Sequence, residues 1–321
     1  MGTGPHRYVA DTKEGCDDMR EQGDGKRYLQ AAALLPPHLR RQAEQVDKAT
    51  QAVAEELRLR SGWPMTVACP QRERQVPGEE PVTPGDLELV LEIATRASAH
   101  TALERMRSGF FTVQGGHRIG ICGSAVVKDG AVYNLRQLSS LAIRIAREVP
   151  GAAASVADRL WEGERFQSTL ILSPPGGGKT TLLRDLIRRL SDGEGHSPLR
   201  VGIADERGEL AAMWNGMSQL SVGRRTDVMD GCPKGTGLLM LLRGMNPQVL
   251  AADEITAPED CAALLAAANC GVSLVCTAHA ADLADLERRP LYRPLLENHC
   301  FQKLVVLTRG KTGRACRVSG L

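Results

Sequence analysis

The sequence predicts a two-domain chain in which a smaller α+β domain precedes a doubly wound α/β domain. The chain has 321 residues, enough for two domains of roughly 150 residues each. From Thr169 onward, short apolar runs such as TLILS and QVLAADE alternate with helical patterns. Such alternation is typical of a parallel sheet covered on both faces. We therefore expect a disordered polar tail over 1–28, the α+β domain over 29–150, a linker over 151–168 and the α/β domain over 169–321.

Within the α+β domain, the pattern predicts two helices followed by a hairpin. The apolar spacing is helical over Leu34–Leu59 and again over Asp86–Gly109. Between them, GWPMTVACP predicts a short strand, and residues 71–86 have the composition of a loop. The run FFTVQGGHRIGICGSAVVKDGAV then predicts two strands, with Asp129-Gly130 as a strong hairpin-turn dipeptide.

Composition and charge exclude several classes of function. Hydrophobic residues make up 42% of the chain and charged residues 24%, which is ordinary for a globular protein and excludes wholesale disorder. The formal net charge is only +2 and aromatic residues are only 3%, so a general basic field and base-stacking platforms are missing. Both observations argue against a nucleic-acid partner. Nine cysteines without Cys-x-x-Cys spacing indicate the reduced thiols of a cytoplasmic protein.

One apolar stretch, Cys261–Ala278, approaches the length of a membrane span. Asn269-Cys270-Gly271 interrupts it, so its Ala- and Leu-rich first half predicts a helix and its β-branched second half a buried strand. Residues 1–27 contain no apolar segment of the kind found in signal peptides. We expect no direct membrane insertion.

The segment that follows the strand TLIL carries the strongest chemical signal. Its glycines and its Gly-Lys-Thr ending lie between a strand and a helix, the context that a phosphate-binding P-loop requires. Lys179 would reach the β- and γ-phosphates of ATP, and the Thr180 hydroxyl would bind Mg²⁺. Ser173 replaces the usual first glycine, and we expect this small residue to be tolerated; a structural Gly-rich turn is the alternative. The residues predicted to bind ATP are Ser173, Pro174, Pro175, Gly176, Gly177, Gly178, Lys179, Thr180 and Thr181. The predicted fold class is a P-loop NTPase domain with a RecA/AAA-like doubly wound sheet.

Two further strand ends carry acidic residues. The strand VLAA ends in Asp253 and Glu254, a Walker B pattern in which Asp253 holds Mg²⁺ and Glu254 orients the attacking water. The strand LRVGIA ends in Asp205, Glu206 and Arg207, and the carboxyl ends of such strands face one crevice. Glu206 is therefore a second candidate base, with a solvated turn and a local ion pair as the alternative for this cluster.

One histidine and several arginines complete the candidates. His279 follows the strand VSLVC, where it would sense the γ-phosphate or couple hydrolysis to motion, unless it is a structural histidine. Arg243 precedes the Walker B strand, and Arg224 and Arg225 lie in a loop. Each is a candidate to donate to phosphate oxygens, within the subunit or across a subunit boundary, or to form an ordinary surface ion pair.

In their order along the chain, these motifs resemble the stage III sporulation protein AA family, relatives of the type II/IV secretion ATPases. SPPGGGKTT, VGIADERGEL, LLRGMNPQVLAADEIT and VCTAHA fit the Walker A, Asp-box, Walker B and His-box segments. SGFFTVQGGHRIGICGSAV fits the N-terminal region, and the likeness covers roughly residues 30–310. Two positions depart from the pattern, Ser173 and Thr256, where glycine is expected.

The resemblance implies an ATPase that uses ATP and Mg²⁺ in the mother cell of an endospore-forming bacterium. There it would energise a channel or secretion-like complex between mother cell and forespore, as a cytoplasmic protein held at the membrane through protein partners. It also implies a homo-oligomer, a hexamer in related ATPases, in which Arg118, Arg144 or Arg147 completes a neighbouring site. Two alternatives stay open: a low-turnover nucleotide-binding switch that scaffolds partners, and a nucleic-acid-coupled ATPase that uses the loop 115–118.

Overall fold

The computed structural model describes residues 25–70, 72–95, 109–310 and 313–321. The chain divides into two compact units, the first ending at Arg147 and the second running from Glu148 to Leu321. Most of the predicted tail, residues 1–28, lies outside the described residues, as does the predicted helical continuation over 96–108. The last four residues of the predicted tail belong to the first helix, where Tyr28 is fully buried.

The first unit is an antiparallel sheet with helices packed on it. Its sheet has the order β3-β2-β1-β6-β5-β4, with every neighbouring pair antiparallel. One core contains apolar residues of the helices together with alternate residues of the strands. The elements are α1 (25–32), α2 (Pro37–Glu44), α3 (Lys48–Val53), β1 (Glu56–Arg60), β2 (Thr66–Cys69), β3 (Arg72–Gln75), α4 (Pro84–Thr95), β4 (Phe110–Thr112), β5 (Arg118–Lys128) and β6 (Ala131–Arg144).

Two predictions for this unit meet different outcomes. The hairpin turn is present: Lys128 pairs with Ala131 across Asp129 and Gly130, which have φ values of 53° and 77°. Positive φ at both central residues is the requirement of a type I′ turn. The helical prediction is wrong at its end, because residues 56–60 form strand β1, in which every second residue is buried.

The second unit contains the larger sheet. Its strand order is β13-β10-β14-β15-β9-β16-β17, parallel from β13 to β16 and closed by the antiparallel β17. The elements are β7 (Trp161–Glu162), β8 (Arg165–Phe166), β9 (Thr169–Ser173), α5 (Lys179–Asp192), β10 (Val201–Asp205), β11 (Met213–Trp214), β12 (Met217–Ser218), β13 (Thr226–Asp230), α6 (Lys234–Gly244), β14 (Val249–Ala252), α7 (Pro258–Asn269), β15 (Ser273–His279), α8 (Leu283–Glu287), α9 (Arg293–Glu297), β16 (Lys303–Gly310) and β17 (Gly313–Gly320).

The doubly wound prediction is confirmed by two separate cores, one on each face of this sheet. Successive strand residues alternate between them: Leu170 and Leu250 pack with α6 and α7, whereas Ile171 and Ala251 pack with α5. Burial on both faces explains the continuous apolar strands. The strand order also places β15 between β9 and β14.

Residues 151–168, which the sequence predicts as a linker, pack within the second unit. Ala153, Val156, Leu160 and Phe166 are buried and belong to the core on the α5 side of the sheet. The segment contains a 3₁₀ turn and the small β7–β8 hairpin. Within the part of the chain that the structure describes, no helix is both long and apolar enough to cross a bilayer.

Candidate functional site

The loop between β9 and α5 contains two glycines in the left-handed region and leads into an uncapped helix. Gly176 and Gly178 have φ values of 71° and 96°, a backbone conformation that glycine adopts without strain. Helix α5 begins at Lys179, and no side chain caps its first turn at Gly178. The N–H groups of that turn therefore remain available to an anion, and the helix dipole favours one.

Ser173, the departure from the usual glycine, fits because Gly177 has no side chain. A Cβ built on Gly177 would stand 1.6 Å from the Ser173 hydroxyl oxygen and 2.9 Å from its Cβ. The hydroxyl instead donates to the Pro174 carbonyl at 3.0 Å. The Ser173 side chain therefore occupies the space that a side chain at position 177 would need, where the loop folds back on β9.

Lys179 is buried at the base of this loop. Its Nζ donates to the Ser173 carbonyl at 3.2 Å and to Nδ1 of His279 at 2.9 Å. Burial lowers the pKa of Lys179, and the neighbouring charges of Glu254 and Asp253 oppose that shift. The ammonium therefore lies among groups from three strand ends, β9, β14 and β15.

Thr180 and Asp253 form a pair of oxygen ligands. The Thr180 hydroxyl donates to Asp253 Oδ2 at 2.6 Å. The Thr277 hydroxyl donates to the other oxygen, Oδ1, at 2.5 Å and accepts the Glu254 N–H at 2.8 Å. A hydroxyl and a carboxylate are hard oxygen ligands of the kind that Mg²⁺ takes beside phosphates, so this pair fits the predicted cation.

Glu254 is held at both carboxylate oxygens. Oε1 lies 2.7 Å from His279 Nε2, and Oε2 lies 3.2 Å from Arg207 Nη1. Because a lysine ammonium has only donors, Nδ1 of His279 accepts from Lys179, and the ring proton is assigned to Nε2, facing Glu254. Lys179, His279 and Glu254 therefore lie in series along the sheet edge, the first two joined by a hydrogen bond and the last two by a 2.7 Å ion-pair contact.

Asp205 is a structural residue of the neighbouring strand end. It is 3% exposed, and its carboxylate accepts the backbone N–H groups of Glu209, Leu210 and Ala211. Burial raises the pKa of Asp205, and these hydrogen bonds oppose the shift. Arg184 on α5 donates to the carbonyls of Glu209 and Leu210, so the turn after β10 is fixed from both sides.

The other arginines predicted in this unit lie away from the strand ends that carry Lys179, Glu254 and His279. Arg243 is exposed in the last turn of α6, just before β14 begins, and Arg224 and Arg225 precede β13. In a parallel sheet the beginnings of strands lie at the edge opposite to their ends, so these arginines are at the far edge of the same subunit. Arg224 lies 3.5 Å from Asp192 there.

In the first unit, the three candidate arginines already have local partners. Arg147 donates to the carbonyls of Ala52 and Ala54, and Arg118 stacks on Phe110 with its guanidinium carbon 3.3 Å from the ring centroid. Arg144 is mostly exposed, 3.8 Å from Glu56.

Glu206, the second candidate base, lies apart from the contacts that join Lys179, His279 and Glu254. Its half-exposed carboxylate lies 3.8 Å from Nζ of Lys234, a lysine at the start of α6 that sequence reasoning missed. No sequence motif surrounds Lys234, which is a single lysine at the start of an apolar helix. Its contact with the end of β14 can be seen only in the folded structure. Arg184 was missed for the same reason.

The fold of the second unit is that of a P-loop NTPase domain with a doubly wound sheet. The structure resembles that of the Legionella pneumophila ATPase DotB, with a TM-score of 0.55, 16% identity, and coverage of all of this chain and 83% of DotB. It also resembles the pilus retraction motor PilT with bound ADP, with a TM-score of 0.58, 15% identity, and coverage of 84% of this chain and 79% of PilT.

The sequence comparisons define the family. The family model described as "Sporulation stage III, protein AA" matches residues 26–321. Stage III sporulation protein AA of Bacillus subtilis (strain 168) is 37% identical over 281 residues, covering 87% of this chain and 91% of that protein. The chain belongs to the stage III sporulation protein AA family, as its motifs predict.

Proposed function

We propose that this protein binds ATP with Mg²⁺ and hydrolyses it to ADP and phosphate. The observation that carries the proposal is the series of contacts Lys179–His279–Glu254, which lies beside the Thr180–Asp253 pair. A cation for phosphates, a carboxylate for water and an oxygen pair for a metal are the parts that phosphoryl transfer to water requires.

Each residue has one task in this mechanism. The glycine loop and the first turn of α5 donate N–H groups to the phosphates, and Lys179 neutralises charge on the β- and γ-phosphates. Thr180 and Asp253 would hold Mg²⁺, directly or through water, and the bound cation supplies further charge neutralisation. Glu254 orients the attacking water and accepts its proton in hydrogen-bond range.

Glu254 is a better candidate for this task than Glu206. Glu254 lies within the series of contacts that begins at Lys179, whereas the Glu206 carboxylate points to Lys234 at 3.8 Å and is half exposed. His279 connects the two halves of the site, since it contacts the phosphate-binding lysine and the glutamate together. Movement of Lys179 toward phosphate would free His279 Nδ1 and so report nucleotide binding to Glu254.

The proposed biological task follows from the family. We infer that hydrolysis drives conformational work on a channel or secretion-like complex between mother cell and forespore, with the protein acting as a homo-oligomer in the mother-cell cytoplasm. Near-neutral charge favours membrane attachment through protein contacts rather than lipid electrostatics. Arg243, exposed at the edge opposite to its own P-loop, is suited to act on a neighbouring subunit rather than in its own site.

Two substitutions test hydrolysis. Lys179→Ala should abolish nucleotide binding, because it removes the cation that contacts the phosphates. Glu254→Gln should retain binding and lower kcat by about 10²- to 10⁴-fold, the usual contribution of a general base. Glu287→Gln, an exposed glutamate on α8, is the matched control and should hydrolyse ATP at the wild-type rate. Unchanged phosphate release in both site variants of the assembled protein would contradict the proposal.

One observation favours a second candidate, the low-turnover switch. Both Glu254 oxygens are engaged, by His279 and by Arg207, so neither is left to orient a water molecule until one of these contacts opens. If the assembled protein binds ATP tightly but releases phosphate only at background rate, the switch is the better description. If Arg207→Ala raises turnover, the Arg207–Glu254 ion pair restrains an active ATPase.

A further inference from the structure

Lys234 is a buried lysine beside Glu254 that the mechanism above does not use. Its side chain is 7% exposed. Nζ donates to the Glu254 carbonyl at 2.5 Å, lies 3.7 Å from Asp260 Oδ2 and 3.8 Å from Glu206 Oε2. Burial of an ammonium costs several kcal/mol unless oxygens compensate it. Here oxygens from three separate segments compensate the charge, so the lysine joins the ends of β10 and β14 to the start of α7.

Glu254 needs such a constraint because its backbone is in the left-handed region. Its φ is 53°, which costs a residue with a side chain on the order of 1 kcal/mol or more. Both polar groups of its backbone are held by side chains: the carbonyl accepts from Lys234, and the N–H donates to Thr277. This backbone conformation determines where the carboxylate points.

Asp260 anchors the lysine from the other side. Asp260 is 4% exposed, and its Oδ2 accepts the N–H groups of Thr256 and Ala257 at 3.0 and 3.1 Å. The turn that follows Glu254 is therefore fixed to the same carboxylate that faces the Lys234 ammonium. Displacement of Lys234 would loosen the turn at both ends.

We propose that Lys234 is the positioning residue of Glu254, holding its peptide in the left-handed conformation that aims the carboxylate at His279 and the phosphate edge. The inference rests on the proposed function, since it gives Glu254 its task in hydrolysis. The described contacts of Lys234 are with Glu254, Asp260 and Glu206, and none of them is with the P-loop. Lys234 should therefore influence the chemical step and leave nucleotide affinity unchanged.

The test compares Lys234→Met with Lys234→Arg in the full chain. Methionine fills a similar volume but donates no hydrogen bond, whereas arginine keeps the charge and the donor. Because a displacement of about 1 Å at a reacting group can cost roughly 10²-fold in rate, we expect Lys234→Met to lower kcat by about that factor. The Kd of a fluorescent ATP analogue should stay within about threefold, and Lys234→Arg should recover part of kcat. Lys303→Met, at the start of β16, is the matched control.

A double variant shows whether the two residues act as one unit. In the Glu254→Gln background, Lys234→Met should lower kcat no further, because residues that act through each other are not additive. Additive losses, a wild-type kcat in folded Lys234→Met, or a parallel loss of nucleotide affinity would overturn the proposal. If Lys234→Met does not fold, Lys234→Gln, which is neutral but polar, replaces it under the same criteria.

The same experiment separates this inference from the proposed function. If Glu254→Gln hydrolyses ATP as fast as the wild type, the task given to Glu254 is wrong, whatever Lys234 does. If Glu254→Gln is slow and folded Lys234→Met is as fast as the wild type, only the positioning by Lys234 is wrong.

Discussion

The contact between Ser173 and Gly177 leads to a prediction that the geometry makes quantitative. In Gly177→Ala, the new methyl group would stand 1.6 Å from the Ser173 hydroxyl oxygen, 2.9 Å from the Ser173 Cβ and 3.1 Å from the Pro174 carbonyl oxygen. The hydroxyl can rotate away, at the loss of its 3.0 Å bond to Pro174. The carbonyl is a backbone atom, and the position of the Ser173 Cβ is set by the backbone, so the loop itself must move.

The expected cost is that of overpacking a well-packed site, about 1–3 kcal/mol. Because the loop that moves is the one proposed to donate to phosphate, the cost should appear in nucleotide affinity. At about 1.4 kcal/mol for each factor of ten, the Kd of ATP should rise by roughly 5- to 150-fold. The same methyl group in the absence of the Ser173 side chain should cost much less.

Fluorescence titration with an ATP analogue measures the effect in four proteins: wild type, Gly177→Ala, Ser173→Gly and the double variant. We expect Ser173→Gly to bind ATP like the wild type and the double variant to recover most of the affinity lost in Gly177→Ala, with a coupling of at least about 1 kcal/mol. Gly244→Ala is the matched control, since its Cβ would meet nothing within 4 Å. Wild-type affinity in Gly177→Ala, or additive effects in the double variant, would refute the described packing of the loop.

Three further predictions concern single groups. The His117 side chain is buried, and burial lowers its pKa to about 4 from 6.5. As the pH falls, the unfolded chain therefore binds the proton before the folded chain does. The contribution of His117 to the free energy of unfolding is complete above pH 6.5 and should fall by about 3 kcal/mol by pH 4. Urea unfolding at several pH values measures this, and His117→Gln should flatten the profile; an unchanged slope in that variant would contradict the assignment. Arg147→Ala removes the donors to the Ala52 and Ala54 carbonyls and should lower the free energy of unfolding by about 1–3 kcal/mol. Arg147→Lys should have an intermediate stability, and equal stability of the two variants and the wild type would contradict the prediction. Because the pKa of Lys179 is lowered from 10.5, the ammonium should lose its charge, and ATP affinity should decline, at a lower pH than with an ordinary lysine. A Kd of ATP that does not change with pH up to 10.5 would contradict this prediction.

The sequence predicts the second unit well because its signals are local. A P-loop needs glycines, a lysine and a hydroxyl at fixed spacing between a strand and a helix, and those residues determine its backbone geometry without reference to the rest of the chain. The central strands are buried on both faces, so they appear as continuous apolar runs. Both features survive in a single sequence.

The errors occur where the surroundings determine the structure. In ELRLR, Leu57 and Leu59 alternate with arginines, and only the pairing of this segment with β2 and β6 makes that alternation a strand rather than the end of a helix. Residues 72–75 are predicted as a loop because RERQ is polar, yet they pair with β2 at the sheet edge, where few side chains are buried. Neither segment carries a signal that propensity alone could resolve.

The strand order explains why the histidine, rather than a P-loop residue, connects the two halves of the site. β15 lies between β9, which leads into Lys179, and β14, which leads into Glu254. A side chain at the end of β15 is therefore the nearest that can contact both. His279 does so, with Nδ1 on Lys179 and Nε2 beside Glu254, whereas Thr277, two residues earlier on the same face, contacts Asp253 and Glu254. The sequence places the three strand ends at one edge, but the neighbour relation between them is a property of the topology. On the proposed function, the signal between nucleotide and Glu254 in this protein should accordingly pass through β15, and a substitution of His279 should uncouple ATP binding from hydrolysis.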